Sequence, residues 1–217
     1  MLEVILGAII SILISIFIEN LRKPKLSIRI EPPVDVQYNN RSVTHTRFLR
    51  VEVINHPLPK WARWLSREAA TQVHGTVSFY HLDGQNVFGR FMQGRWSSTP
   101  EPVLMKLFID GKDGYIIDPL RLTVHSRVEI DPDQIETLDI AVKFDDDSEC
   151  YGWCNDNYFS KPYWRNPEWK LNPDRYLVRV VISTAGEKTE KVFRLINDVT
   201  RANFRLEEKM ESDKVLD

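Results

Sequence analysis

The sequence is short of the residues and motifs that mark most enzymes and secreted scaffolds. It has two cysteines, Cys150 and Cys154, in 217 residues, too few for a domain held together by disulfides. Basic and acidic residues nearly balance, and the formal net charge of −2 argues against nucleic acid as a partner. The G-x-S-x-G, P-loop, H-E-x-x-H and G-x-G-x-x-G motifs do not occur. These absences favour a non-enzymatic protein without a cofactor.

What the sequence does have is a long apolar run at its beginning. Residues 2–18 are almost entirely Ile, Leu, Val and Phe, and at about 1.5 Å per residue they just span a hydrocarbon core. Apolar residues occupy every face, as expected of a helix in lipid. A cleaved signal peptide is the main alternative, but no basic residue precedes the run and no small-residue cleavage site follows it. We therefore expect a signal-anchor, a single transmembrane helix over residues 1–21 that contacts the bilayer through residues 2–18.

The charges around this run predict its orientation. A basic juxtamembrane segment, residues 22–25, follows the helix with Arg22, Lys23 and Lys25, whereas Glu3 is the only charged side chain before it. Positively charged flanks stay in the cytoplasm. The predicted localisation is therefore a single-pass membrane protein with its N-terminus outside and its large domain in the cytoplasm.

The rest of the chain alternates between apolar and polar residues, which is typical of half-buried strands. We expect one antiparallel, immunoglobulin-like β-sandwich domain over residues 26–197 and a polar C-terminal tail, frayed or disordered, over residues 198–217. One short helix is predicted over residues 59–70, where two tryptophans recur at helical spacing. Eight strands are predicted, over residues 26–30, 48–54, 75–80, 103–109, 126–130, 137–144, 176–183 and 191–196, the last two joined as a hairpin.

An acidic stretch after the sixth predicted strand is a candidate metal site. Asp145, Asp147 and Glu149 lie close together without a basic residue among them, and oxygen ligands suit Ca²⁺. The spacing is not that of a calcium loop, so a solvated loop is the competing interpretation. Cys150 and Cys154 could join scattered histidines around zinc, but their spacing is unusual for that, and buried thiols are favoured.

Aromatic residues crowd the long connection before the final hairpin. Trp153, Tyr163, Trp164 and Trp169 fall within it, and tryptophan and tyrosine dominate protein-binding hot spots. They either form a partner-binding surface or fold back as a plug over the domain. We expect most of them to be packed and one or two, with Trp164 the first choice, to be exposed.

A second aromatic segment is predicted to touch the membrane surface. Lys60, Trp61, Arg63 and Trp64 alternate basic and aromatic side chains, a combination that suits the headgroup layer of a cytoplasmic leaflet. Together with Arg22, Lys23 and Lys25 they form the predicted membrane-surface set. The competing interpretation is a helix that caps the core.

The function predicted from these features is that of a membrane-anchored, non-enzymatic interaction or scaffold module with an unidentified protein partner. The alternative is a ligand- or metal-binding domain, hydrolytic in one version, that uses the acidic and aromatic loop over residues 145–169. A basic and aromatic stretch at residues 90–96 suggests single-stranded nucleic acid, but it is short and a solvated turn explains it better.

Overall fold

A computed structural model describes residues 1–37, 45–120, 126–145, 147–161 and 164–213. The chain begins with a helix, α1 (Leu2–Arg22), which is the N-terminal apolar helix expected from the sequence. The most apolar 18 residues within Glu3–Arg22 have a mean hydropathy of 2.4, and none of them is buried in the rest of the chain. The helix is therefore long and apolar enough to cross a membrane or to be a signal sequence.

The remainder is mostly β structure. Within the described residues the strands are β1 (Leu26–Ile30), β2 (Val34–Gln37), β3 (His45–Asn55), β4 (Ala70–Tyr80), β5 (Met92–Gln93), β6 (Arg95–Trp96), β7 (Val103–Ile109), β8 (Lys112–Ile117), β9 (Val128–Ile130), β10 (Ile135–Phe144), β11 (Cys150–Gly152), β12 (Lys170–Leu171), β13 (Arg175–Ser183), β14 (Lys188–Ile196) and β15 (Arg205–Glu208).

Two antiparallel sheets make up the body of the domain. The first has the order β1-β3-β10-β11-β12, with β2 added to β3 and β6 added to β10. The second has the order β15-β14-β13-β4-β5, with β9 added to β4. Strands β7 and β8 form a separate two-stranded sheet. Neighbouring strands in these sheets are often distant in sequence, because long connections carry the chain from one large sheet to the other.

The main core contains residues from both large sheets. Side chains of β3 and β10 in the first sheet share one buried cluster with side chains of β4, β13 and β14 in the second. Trp96, Phe79 and Phe193 are among its largest members, and each is fully buried. The two sheets are thus held together mainly by apolar burial, the dominant favourable term in folding.

A second apolar cluster covers the other side of the first sheet. Phe48, Val142, Phe144 and Tyr151 from the sheet pack with Trp153 and Tyr158. This aromatic cluster explains why β10 is buried at every position from Leu138 to Phe144, because both faces of that strand are covered. We call it the outer aromatic cluster.

All eight predicted strands are present, several of them longer than expected. The hairpin of β13 and β14 pairs over its full length. The predicted helix over residues 59–70 is wrong in extent: only a 3₁₀ turn, Lys60–Ala62, forms there. The segment expected to be a polar tail contains strand β15, which extends the second sheet by pairing with β14.

Candidate functional site

The helix α1 is joined to the domain by a set of hydrogen bonds around Asn55. Asn55 is fully buried; its amide oxygen accepts from the backbone N–H of Lys25 at 3.1 Å. Its amide nitrogen donates to the carbonyls of Glu68 and Ile130 at 3.1 and 3.0 Å. One side chain therefore holds together the exit of the helix, the start of β4 and the end of β9.

The end of the helix also contacts the segment that precedes β4. The N–H of Glu68 donates to the carbonyl of Arg22 at 2.7 Å, and the Arg67 guanidinium donates to the carbonyl of Lys23. Backbone carbonyls at a helix end have no partner within the helix, and here the domain supplies donors. The last turn of α1 is therefore fixed to the domain and is not a free linker.

The predicted membrane-surface residues lie around this junction. The Trp61 indole stacks on the Phe17 ring, with ring centroids 6.4 Å apart and planes 16° from parallel. Trp61 is 62% exposed and Trp64 is 73% exposed. Lys60 and Arg63 are exposed beside them. The structure thus brings the aromatic segment against the apolar helix while most of both tryptophans stays accessible.

The predicted aromatic surface is largely packed. Trp153 and Trp169 are buried, at 2% and 5% exposure, and Trp164 is half-buried. Tyr163 lies outside the described residues. The Trp164 ring contacts Trp153 and Tyr158, with centroids 6.2 and 5.9 Å apart. Most of this connection therefore covers the first sheet, and Trp164 lies at the edge of the outer aromatic cluster.

Trp164 also has an unusual backbone. Its φ angle is +68°, a left-handed conformation that is costly for a bulky side chain. Its N–H donates to the Ser160 carbonyl at 3.0 Å, and its own carbonyl accepts from the Asn157 amide at 3.2 Å. These contacts hold the backbone in the conformation that places the indole on the cluster.

The three predicted metal ligands do not come together, because each carboxylate has its own basic partner. Asp147 pairs with Arg165 at 2.6 Å, and Glu149 pairs with Lys170 at 2.7 Å. The hydrogen bond from Lys170 lowers the pKa of Glu149.

Asp145, the third of these residues, pairs with Arg201 and accepts from the backbone N–H of His45 at 3.0 Å. Within the part of the chain that the structure describes, no three His, Cys, Asp or Glu side chains are grouped as metal ligands. The geometry supports structural ion pairs.

The two cysteines are free and buried. Burial raises the pKa of Cys150, and burial followed by the charge of Asp156 raises the pKa of Cys154 to about 12. Thiols with raised pKa values are poor nucleophiles and poor metal ligands at neutral pH.

The sequence reasoning missed a small polar pocket beside the aromatic connection. It has a volume of about 240 Å³, and its lining includes Arg90, Arg95, Cys154, Asp156 and Trp169. The Arg90 guanidinium lies 4.5 Å from the centre of the Trp169 ring and pairs with Glu168 at 2.6 Å. Burial raises the pKa of Asp156. The basic and aromatic stretch over residues 90–96 was the one indication of this pocket in the sequence. The residues on the opposite wall of the pocket come from a distant part of the sequence.

Comparison with known proteins does not assign the chain to a family. No protein-family model matches the sequence, and no curated protein matches it at a significant level.

Proposed function

We propose that this chain is a single-pass, membrane-anchored interaction or scaffold module without catalytic activity. The observation that carries the proposal is the stacking of Trp61 on Phe17. It places a mostly exposed tryptophan of the domain against the apolar surface of the helix. A soluble protein gains little from leaving both rings accessible to water, whereas both would be covered by lipid.

The position of Phe17 along the helix supports this interpretation. Arg22 lies five positions after Phe17, which is a rise of about 7.5 Å along the helix. If Arg22 lies among the headgroups, Trp61 lies at the boundary between headgroups and acyl chains. Tryptophan is enriched at this depth. The neighbouring Lys60 and Arg63 are suited to anionic headgroups, which attract basic side chains near the surface.

We propose the orientation from charge. Arg22, Lys23 and Lys25 are exposed at the domain end of the helix, which favours a cytoplasmic domain and an N-terminus outside. The two large sheets are proposed to form a sandwich of immunoglobulin-like architecture. The core shared by the sheets supports this, although the strand number exceeds that of antibody domains. In this proposal the domain begins at residue 26 and continues past residue 197, the end expected from the sequence, because β15 pairs with β14.

A protein partner is proposed to bind the domain on the side away from the bilayer. Of the predicted contact residues that the structure describes, Trp164 retains the most accessible surface. Trp153, whose ring contacts Trp164, would act by supporting it, whereas Trp169 packs in the main core. Hot-spot residues commonly rest on such packed neighbours.

The polar pocket favours a second candidate, the binding of a small ligand. Two arginines, an aromatic ring and a carboxyl group line it, and such polar groups can fix the orientation of a small polar ligand. Melting curves with neutral and acidic monosaccharides test it. A ligand present at 100 times its Kd adds about 2.7 kcal/mol to the free energy of unfolding, so a clear upward shift in Tm would support ligand binding.

Comparing the full chain with a chain that starts at Arg22 tests the anchor. The shorter chain keeps the contacts of Arg22, Lys23 and Lys25 with the domain, so it should fold. We expect the full chain to float with lipid vesicles and to need detergent for extraction, and the shorter chain to remain in solution. Aggregation of the shorter chain, with the full chain soluble without detergent, would show that the helix belongs to the core. A mature N-terminus beyond residue 18 would identify a signal peptide.

Protease protection tests the orientation. In intact cells, external protease should leave the domain uncut, and it should cut the domain once the membrane is opened. Cleavage of the domain in intact cells would reverse the proposed orientation.

A further inference from the structure

The hairpin of β7 and β8 stands apart from both large sheets. Its strands pair with each other from Val103 and Ile117 at the base to Ile109 and Lys112 at the tip. The Asp118 N–H donates to the Pro102 carbonyl at 3.1 Å and closes the base. Asp110 and Gly111 at the tip both have positive φ angles, as a type I′ turn requires. In the described residues neither strand pairs with any other strand.

Both faces of this hairpin are apolar and exposed. Cross-strand partners share a face, so Met105 and Ile116 lie on one face and Phe108 lies on the other. Phe108 is 74% exposed, the highest value among the large apolar residues described in the hairpin. The exposed apolar residues of the hairpin and the chain just after it are Leu104, Met105, Phe108, Ile109, Tyr115, Ile116, Ile117 and Leu120.

A hairpin of this kind is unstable by itself in water, since two strands without a covered face are marginal. These side chains divide between the two faces of the hairpin, so each face offers on the order of 300 Å² of apolar surface. That is the size of the largest patch on a typical monomer, and such patches are often functional. The hairpin therefore has the properties of a binding surface that is buried in the functional state of the protein.

Lipid is a poor cover for this surface. The outer edges of β7 and β8 present backbone N–H and C=O groups, and hydrocarbon leaves such groups without partners. The tip also carries the exposed charges of Asp110 and Lys112. A cover that supplies backbone hydrogen bonds as well as apolar side chains fits better.

We propose that the hairpins of two copies of this chain cover each other in a symmetric dimer. With one face of each hairpin covered, two copies bury on the order of 600 Å² of apolar area. Because little more than half of an interface is apolar, the whole contact reaches about 1,000 Å², the size at which a specific interface begins. An apolar patch is complementary to its own copy, as a two-fold interface requires. Open strand edges of the two hairpins can pair with each other.

The membrane anchor favours this occupant, and in this respect the inference rests on the proposed function. Anchors in one bilayer hold all copies in the same orientation and raise their effective concentration. The hairpin begins after β6, whose partners Leu138 and Asp139 lie within β10. Val103 at its base packs against the outer aromatic cluster. The hairpin is thus attached to the flank of the domain, where a neighbouring copy in the same membrane can reach it.

The test measures association of the full chain in lipid vesicles. Donor- and acceptor-labelled copies are mixed, and energy transfer is followed while lipid is added to dilute the protein. We expect transfer that falls on dilution with a measurable midpoint. Because Phe108 and Ile109 lie on opposite faces, the variant on the covered face, Phe108→Lys or Ile109→Lys, should require at least tenfold less dilution to separate the copies. The matched control is Ile135→Lys, since Ile135 is 46% exposed at the start of β10; it should leave the midpoint unchanged.

Further readouts separate the possible failures. Urea unfolding of each variant shows whether the domain still folds, so loss of association by a folded Phe108→Lys protein is specific. Flotation of the same samples reports the anchor independently. Floating protein without energy transfer at any dilution would overturn the dimer while leaving the anchor intact. Equal midpoints for the hairpin variants and the control would also overturn it, as would quenching of a fluorophore at position 108 by acyl-chain quenchers.

Discussion

Arg194 in β14 and Asp213 close to the end of the described chain form a buried ion pair. Their side chains are 10% and 3% exposed. The Asp213 carboxylate also accepts from the backbone N–H of Met210 at 2.8 Å. The segment after β15 is therefore attached to the second sheet by a charged pair removed from water.

Replacing Asp213 with alanine should lower the free energy of unfolding by about 2–4 kcal/mol. Breaking a buried pair leaves an uncompensated charge, which costs about 3–5 kcal/mol when water stays excluded. The cost here is smaller because the end of the chain can move and let water reach Arg194. Urea denaturation measures the change, with Glu211→Ala, an exposed neighbour, as control. A change below about 0.5 kcal/mol, within the range of ordinary surface sites, would show that the pair contributes nothing.

At position 164 we expect glycine to give a more stable protein than alanine, which is the reverse of the usual order of stability. The φ angle of +68° costs alanine about 1–2 kcal/mol and glycine nothing. Allowing for the greater freedom of unfolded glycine, Trp164→Gly should be about 0.5–1 kcal/mol more stable than Trp164→Ala. Urea midpoints of the two variants give the comparison. If Trp164→Ala is the more stable, the left-handed conformation does not persist without the indole.

Trp153→Ala provides a reference value for the stability loss of the Trp164 variants. Its side chain is 2% exposed, and emptying such a site costs about 3–5 kcal/mol. Because Trp164 is only half-buried, Trp164→Ala should lower the free energy of unfolding by clearly less. Equal losses would mean that Trp164 is as much a core residue as Trp153 and is not a contact surface.

The stability of the domain should fall in mild alkali because of Cys154. Its pKa in the folded protein is raised to about 12, above the ~8.5 of an unfolded thiol. The folded state therefore keeps a proton that the unfolded state has lost. The stability that this adds is fully present below pH ~8.5 and is lost as the pH rises towards 12.

The measurement is urea denaturation at several pH values above 9. Cys154→Ala should remove about 1.4 kcal/mol per pH unit from the slope of unfolding free energy against pH. The cavity left by the substitution shifts the whole curve without changing its slope. An unchanged slope would show that the folded protein accommodates the thiolate.

The strands with clear alternation of apolar and polar residues could be predicted, and the very short ones could not. Strands such as β5, β6 and β12 have two residues each, so they contain no periodicity. Strand β8 could have been found, because Asp110-Gly111 is a hairpin signal. The helix expected over residues 59–70 did not form because β4 already begins at Ala70 and the segment before it contacts the end of α1.

The membrane-surface residues could be proposed from composition, but their contact could not. Nothing local in the sequence indicates that Trp61 lies on Phe17, since the domain has to fold before the two rings meet. The same is true of Asp145, Asp147 and Glu149. Their basic partners Arg201, Arg165 and Lys170 lie 18 to 56 residues later in the chain, so the acidic stretch appeared unpaired.

The contact of Trp61 and Trp64 with lipid should be visible in tryptophan fluorescence. In vesicles of lipids brominated near the headgroup, we expect quenching of the full chain by up to about a third, because two of its six tryptophans are proposed to lie at that depth. Trp61→Phe combined with Trp64→Phe should abolish most of the quenching and keep the aromatic contact with Phe17. The control is Trp164→Phe, which removes a half-buried tryptophan far along the chain and should raise the quenched fraction slightly, from two of six tryptophans to two of five. Bromines placed deep in the acyl chains should quench less than shallow ones, because Arg22 holds the end of the helix among the headgroups. Quenching that survives the double substitution would place the segment in water and remove the main support for a domain held against the bilayer.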